Sequence, residues 1–539
     1  MAANAGWDEK RLGVVKEVTS STVTVVLDPE ITSLQRKIGD KVYHVGQIGT
    51  YVLIPVGKAY VLGIVSEFRK EEPNDPAKGR PRYLMNVILV GTMKKGLMES
   101  GVSILPTADM PVFLLEDKDL KVAFSSLQKF GFSIGQLPLV ENERAYVDPN
   151  KFFAKHIAVL GSSGAGKSCT VASILQKVVT LPETRIIILD LHSEYSQAFP
   201  KDCKHFEIAA LELPYWLMNF DEVTEMFVDP TDENASIQIS VLQDLIYAAK
   251  KSKNPRLADV LTVDSPVYYD INEVRARLQF LDTEKTAGAA GQKEGPYFGK
   301  FTRLLVRLNS KMTDPRYAFM FKLRVCLDTE SAKPLMMMIF GLDGQTRITI
   351  MDLSGVPFDI VKTVAALLAR ITFDFNFWNP NRSDLPILLV FEEAHNYLST
   401  AAEGSRAARR TVERIAKEGR KYGVSCMIVS QRPAEISETI LSQCNNFVIL
   451  RLLNPADQQY IYRLVPDTFS GLESVIPLLR QGEAVIVGDS IPMPQRVQVD
   501  YPDPPPRSAD VQFYDKWKKP GTKTDAADVM ERWWSQQRT

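Results

Sequence analysis

Residues 156–175 read HIAVLGSSGAGKSCTVASIL: an apolar strand, a loop of small residues, and a run that continues as a helix. Gly161, Ser162, Ser163, Gly164, Ala165, Gly166, Lys167 and Ser168 fit the pattern G-x-x-x-x-G-K-S/T in the strand, loop, helix setting it requires. The glycines let backbone N–H groups turn toward phosphate oxygens, and the helix start adds its partial positive charge. Lys167 is placed to reach the β- and γ-phosphates, Ser168 to hold a magnesium ion through its hydroxyl, and Cys169 to close the stretch that lines the phosphates. A flexible Gly/Ser turn would leave the Lys-Ser pair at this offset without a reason. Nucleotide binding is therefore expected, with ATP and Mg2+ as ligands.

After that strand, apolar runs alternate with helical segments: RIIILDLH (185–192), TRITIMDLSG (346–355), PILLVFEEAH (386–395), VSCMIVSQRP (424–433), NNFVILRL (445–452) and EAVIVGD (483–489). Continuous apolar strands between helices predict an α/β fold with a mainly parallel sheet covered on both faces. From Arg11 to about residue 125 the runs are short, β-branched and punctuated by glycine, as in STVTVVLD and YLMNVILVGTM, which predicts a small antiparallel barrel. Within it, RKEEPNDPAKGRPR (69–82) reads as a polar loop. Residues 221–335 are polar and helix-rich, with TEKTAGAAGQKEG (283–295) expected as a mobile loop. The domain boundaries drawn from these shifts are 1–125 for the barrel, 126–220 and 336–500 for the two parts of the core, 221–335 for a helical insertion, and 501–539 for a Pro-rich arm with a short terminal helix.

Charge is balanced, with 64 Lys+Arg against 65 Asp+Glu in 539 residues, so net charge points to no nucleic-acid or membrane partner. Cys169, Cys203, Cys326, Cys426 and Cys444 are scattered without metal or disulfide spacing, which argues against zinc and for reduced thiols. No signal peptide opens the sequence, and Lys362 and Arg370 interrupt the most apolar helical run. A soluble cytoplasmic protein is expected.

ILLVFEEAH ends a buried run with Glu392 and Glu393. Glu392 is assigned to magnesium, directly or through water, and Glu393 to polarising the attacking water; an exposed acidic pair at a strand end is the plainer alternative. Gln431, in MIVSQRP, is placed to sense a γ-phosphate or orient water, against a capped turn before Pro433. DLHSEY brings Asp190, His192 and Glu194 to another strand end; His192, His156 and His395 read as structural. In GSRAARRTVERIAKEGRKYG (404–423), Arg406, Arg410, Arg414, Lys417 and Lys421 fall along one helix face, near Glu403, Glu413 and Glu418. That face is a solvated surface, a track for DNA phosphates, or a source of an arginine for a neighbour's nucleotide.

Taken together, GSSGAGKS, DLHSEY, LPYWLMNF, DPRYAFMF, MDLSGVPFDIVKTVAALLAR, VFEEAHNYL, RIAKEGRKYGVSCMIVSQRP and LSQCNNFVILRL resemble the HerA ATPases of the HerA–FtsK group, over nearly the whole chain. The resemblance implies a RecA-like P-loop NTPase core in a homohexameric ring that threads double-stranded DNA and hydrolyses ATP at subunit interfaces. It makes Glu393 the catalytic acid with Glu392 beside it, Gln431 the sensor, and Arg420 the arginine supplied to the next subunit. Lys155 stands where the resemblance leads us to expect another interfacial arginine, keeping the charge and losing the bidentate fork. HerA proteins also imply a partner, a NurA-like nuclease in DNA end resection or a sirtuin-like NAD hydrolase or other nuclease in antiviral defence, docked on the barrel. Two functions follow: a DNA-translocating ATPase, or an ATP-regulated ring scaffold for a defence effector. A small-molecule kinase suits neither the length nor the acidic strand.

Overall fold

The computed structural model describes residues 7–31, 33–72, 81–94, 97–138, 143–201, 203–208, 210–288, 291–401, 404–465, 473–508, 511–518, 521 and 524–535. Parts of two expected loops (73–80 and 289–290) and Glu403 lie outside these residues. The chain forms two compact units, Met1–Val178 with Ser425–Pro505, and Val179–Val424 with Pro506–Thr539.

In the first unit a seven-stranded antiparallel sheet runs in the order Thr22–Leu27, Arg11–Val18, Pro111–Leu114, Tyr51–Val56, Ala59–Glu71, Arg82–Lys94, Leu97–Ser100. Thr22–Leu27 also pairs with Arg82–Lys94, which closes the sheet into the small barrel that the sequence pattern predicts. Residues alternate in and out along TVTVVL, and Val15, Val25, Ile54, Val65, Met85 and Val87 fill the interior. Register shifts at Val15/Glu17 and Val65/Glu67 supply the coiling that closure needs. The polar segment at 69–82 is shorter than expected, because Arg69 to Glu71 remain in strand, paired with Leu84 to Arg82.

The same unit holds Ile157–Leu160, all of it solvent-free, lying parallel to Val424–Ser430 on one side and Asn446–Leu450 on the other. Past Asn446–Leu450 the order continues through Glu483–Gly488, Gln495–Val499, Ser133–Gln136 and Arg144–Tyr146, each pairing antiparallel. The sheet here is mixed. The chain between Gly488 and Gln495 is too short for the dozen or more residues of a parallel crossover, so it returns as a hairpin.

In the second unit Ile387–Phe391, Ile186–Asp190, Ile348–Asp352 and Cys203–Glu207 lie side by side, all parallel. The insertion is helical as expected, with Phe220–Phe227, Ala235–Lys253, Ile271–Thr283 and Thr302–Thr313 as its main helices. Asn219 and Glu222 cap the first reciprocally. Glu222 also meets Arg370 of the long helix Phe358–Trp378 through two hydrogen bonds of 2.8 and 3.0 Å, both side chains buried. The segment expected as a loop at 283–295 instead pairs Lys285–Gly288 with Gly291–Glu294. The arm carries two helices, Phe513–Trp517 and Ala526–Ser535, where one was expected.

Candidate active site

Every predicted binding residue of the phosphate loop lies in the first unit. Leu160 is in register with Ser430, and the Gly161 N–H donates to the Ser430 carbonyl at 3.2 Å. On the other flank the Ser162 N–H donates to the Arg451 carbonyl at 2.8 Å, while the Ser162 hydroxyl accepts from the Leu453 N–H at 3.1 Å. The loop is thus pinned to the carboxyl ends of both neighbouring strands. Gly164 (φ +72°) and Gly166 (φ +101°) are left-handed, a conformation that costs any residue with a Cβ. Among the described residues the N–H groups of Ser163, Gly164 and Gly166 meet no protein acceptor. Lys167 opens the helix Lys167–Gln176 and is buried, with Nζ 3.5 Å from the Ser162 carbonyl. Ser168 and Cys169 follow, half-buried. Donors without protein acceptors, left-handed glycines and a buried cation fit a phosphate chain.

Gln431 comes immediately after Ser430 and is half-buried, at the same strand end as the loop. Arg432 turns away to Glu435 at 2.9 Å. His156 is structural, its Nδ1 accepting from the Cys426 N–H at 3.1 Å. Lys155 is held by Asp489 at 2.6 Å.

The acids lie in the second unit. Glu392 follows Ile387–Phe391, beside the strand that ends in Asp190, with the strand that ends in Asp352 next beyond it. Neither Glu392 nor Glu393 is exposed, at 2% and 8%, which removes the reading as a solvated pair. The Tyr195 hydroxyl donates to Glu392 Oε2 at 2.6 Å and the Tyr397 hydroxyl to its carbonyl at 2.8 Å. Burial pushes the Glu392 carboxyl up to about 8, with the charges of Glu393, Glu194 and Asp190 adding to it and the Tyr195 hydrogen bond opposing. Burial also raises Asp190, against hydrogen bonds from the backbone at Tyr195, Glu194 and His192. Glu393 sits at φ 43°, ψ 49°. A non-glycine residue held there costs on the order of 1–3 kcal/mol and persists only where the surroundings enforce it. Hydrogen bonds from Asn396 N–H to the Glu393 carbonyl (2.9 Å) and from Leu398 N–H to the Ala394 carbonyl (2.8 Å) do so.

His395 Nδ1 stands 3.3 Å from Glu393 Oε2, so this histidine belongs to the acid turn and not to packing alone. The sequence reading missed Tyr195, Tyr397 and His395 as members of this cluster. Their only signal was proximity to the motifs DLHSEY and FEEAHNYL. Among the described residues no group of three or more His, Cys, Asp or Glu could hold a metal ion.

The helix Arg406–Glu418 buries Ala407, Ala408, Val412, Ile415 and Ala416, and turns Arg406, Arg410, Arg414 and Lys417 outward, as the spacing predicts. Ser405 caps it, and the Glu225 carboxylate takes the N–H groups of Arg406 and Ala407. Part of the basic face serves its own unit: Arg414 lies over the Phe373 ring at 4.4 Å, and Arg410 faces Asp221 at 3.5 Å. Arg420 lies on the 3-10 turn Gly419–Tyr422, exposed and without an ion-pair partner among the described residues.

The family model described as "Helicase HerA, central domain" matches residues 132–371. The chain is 27% identical to the "DNA double-strand break repair helicase HerA" of Saccharolobus solfataricus, covering 88% of this chain and 91% of that one. With the protein of the same name from Sulfurisphaera tokodaii it shares 24% identity over 96% and 98% of the two chains. Among solved structures, VirB4 of Thermoanaerobacter pseudethanolicus matches with a TM-score of 0.49 at 14% identity, over 68% of this chain and 96% of that one. Among the described residues no helix is long and apolar enough to cross a membrane.

Proposed function

The chain belongs to the HerA family and is an ATP-hydrolysing enzyme, and from that premise we propose that it is a motor coupling ATP turnover to movement along double-stranded DNA, as a ring of six identical subunits. The observation that carries this reading is the phosphate loop, pinned to two strand ends with buried Lys167 at the helix start. Lys167 balances the charge of the β- and γ-phosphates, and the loop N–H groups orient them. Ser168 would hold Mg2+, which when bound neutralises phosphate charge. Glu393, fixed on its strained turn, draws the proton from the water that attacks the γ-phosphate, and Gln431 orients that phosphate.

Arg420 is the residue offered to the adjacent subunit's nucleotide; its exposure, with no ion-pair partner among the described residues, supports this, and such arginines are worth on the order of a thousandfold or more in kcat. Lys155, tied to Asp489, is not a second one. The outward basic face of Arg406–Glu418 supplies phosphate contacts to DNA. The barrel docks a partner, a NurA-like nuclease or a sirtuin-like effector, in DNA repair or antiviral defence in the cytoplasm.

Steady-state ATP hydrolysis with and without linear duplex DNA, with Lys167→Ala as the blank, tests the reading. Stimulation by DNA is expected. A rate indifferent to DNA would remove the motor and leave the ring scaffold.

A further inference from the structure

The turn that bears Arg420 is held more firmly than an exposed loop needs. It continues the helix Arg406–Glu418 as Gly419–Tyr422, and its end meets the acid strand, where the Ile387 N–H donates to the Gly423 carbonyl at 2.8 Å. The Asn376 side chain donates to that carbonyl at 3.4 Å and to the Leu385 carbonyl at 2.8 Å. Gly423 is left-handed at φ +69°, and a Cβ there would lie 2.8 Å from the Arg382 carbonyl oxygen.

Tyr422 supplies the side-chain hold. Its ring centroid lies 5.0 Å from that of Phe377 and 5.4 Å from that of Phe373, both on the long helix Phe358–Trp378, and the Arg382 guanidinium stands 5.1 Å from it. Arg414, in the helix ahead of the turn, lies over the same two phenylalanines at 4.4 and 5.6 Å. Ring faces are negative and ring edges positive, so these contacts prefer particular orientations and not mere proximity. The Tyr422 hydroxyl has no hydrogen-bond partner among the described residues, which leaves the seating to the ring. The strand Ile387–Phe391 starts beside this turn and runs to Glu392 and Glu393, and five residues at about 3.3 Å each set the two turns roughly 16 Å apart. Arg420 thus stands away from the acid turn of its own subunit.

We propose that Tyr422 is the positioning residue of Arg420: the aromatic seat of Phe373, Phe377 and Tyr422 holds the turn rigid, so that its arginine is aimed at the nucleotide of a second copy of this chain. The proposal rests on the reading of Arg420 as the arginine offered across a subunit interface and adds the residue that aims it. An arginine on a loose turn must order backbone and side chain each time it docks; a seated turn has its backbone ordered beforehand.

The test is steady-state ATP hydrolysis by the full chain with linear duplex DNA, Lys167→Ala serving as the blank. Tyr422→Ala should lower kcat about tenfold to a hundredfold with KM for ATP within about twofold, the split expected of a group that aims a transition-state contact. Tyr422→Phe keeps the ring and should match the wild type within about twofold. The double variant Tyr422→Ala/Arg420→Ala should be no slower than Arg420→Ala, because one residue acts only through the other. Mixed with Glu393→Gln subunits, Tyr422→Ala should exceed the sum of the two separate rates, since it keeps a sound acid turn and its neighbour a sound arginine.

A double variant at least about tenfold slower than Arg420→Ala, or mixtures giving only the summed rates, marks a defect inside the subunit's own site and overturns the proposal. Tyr422→Phe as slow as Tyr422→Ala, or Tyr422→Ala as fast as the wild type, overturns it too. Should Tyr422→Ala fail to fold, Tyr422→Leu is held to the same outcomes. Wild-type turnover in Arg420→Ala overturns the interfacial arginine and the proposal with it, whereas the Tyr422 results strike the proposal only.

Discussion

Two alanine substitutions in the phosphate loop look alike in sequence and should behave differently. At Gly164 (φ +72°) a Cβ meets nothing within 4 Å, so Gly164→Ala pays only for left-handed backbone, about 1 kcal/mol. At Gly161 a Cβ would lie 2.8 Å from the Leu450 Cβ and 3.4 Å from the Ala165 Cβ. Carbon pairs settle near 3.5–4.0 Å, so the loop must move by roughly 0.7 Å away from the Asn446–Leu450 strand. Overpacking of this kind costs about 1–3 kcal/mol, and the shift strains the Gly161 and Ser162 N–H bonds to the Ser430 and Arg451 carbonyls, about 1 kcal/mol for each one lost. Gly161→Ala should therefore destabilise by about 2–4 kcal/mol. Because the displaced atoms form the cradle itself, nucleotide affinity should fall by about tenfold or more. Thermal unfolding and titration with a fluorescent ATP analogue read both quantities. If the two variants unfold together and bind the analogue equally well, the anchoring argument is wrong.

Other perturbations test the remaining parts. Lys167→Ala should abolish hydrolysis while the thermal transition stays near wild type; retained turnover would remove the loop as the nucleotide site. Arg420→Ala should be inactive alone yet partly rescued when mixed with Glu393→Gln subunits, and mixtures showing only dilution would refute the trans role. The Glu392 carboxyl is raised from an ordinary 4.5 to about 8 by burial, so the stability it contributes is full below about 4.5 and lost as pH rises through about 8. Nucleotide-free wild type should accordingly lose thermal stability relative to Glu392→Gln as pH rises from about 4.5 to about 8 and level off above that, and parallel profiles would refute the assignment. Glu222→Ala takes two charge-assisted hydrogen bonds from the buried Arg370 guanidinium and leaves it Asp374 at 3.1 Å and the Leu217 carbonyl, and should cost about 1.5–3 kcal/mol in an unfolding titration, against under about 1 for an exposed pair such as Lys333 with Glu330.

What the sequence makes visible follows the range of the interactions. The phosphate loop is readable because its chemistry lies in contiguous residues from Gly161 to Ser168, where spacing alone brings N–H groups, cation and hydroxyl together. The barrel and the buried strands are readable because alternation and continuous apolar runs report burial on one face or two. The antiparallel edge is readable only in part: the short link between Gly488 and Gln495 forbids a crossover and turns Gln495–Val499 back on its neighbour, whereas the apolar run EAVIVG looks like any parallel strand and the link before it, with the helix Pro455–Leu464, is long enough for one, yet it pairs antiparallel with Asn446–Leu450.

The acids mark the limit. Glu392 and Glu393 are the same letter twice, and nothing local separates them. Their difference comes from a tyrosine 197 residues away in sequence and from a reversal of backbone hand, both imposed by tertiary packing. One carboxyl is bound into the interior by that packing, and the other is held strained beside His395. A motif therefore locates the acidic turn, while the division of labour between its carboxylates belongs to the residues that pack around it.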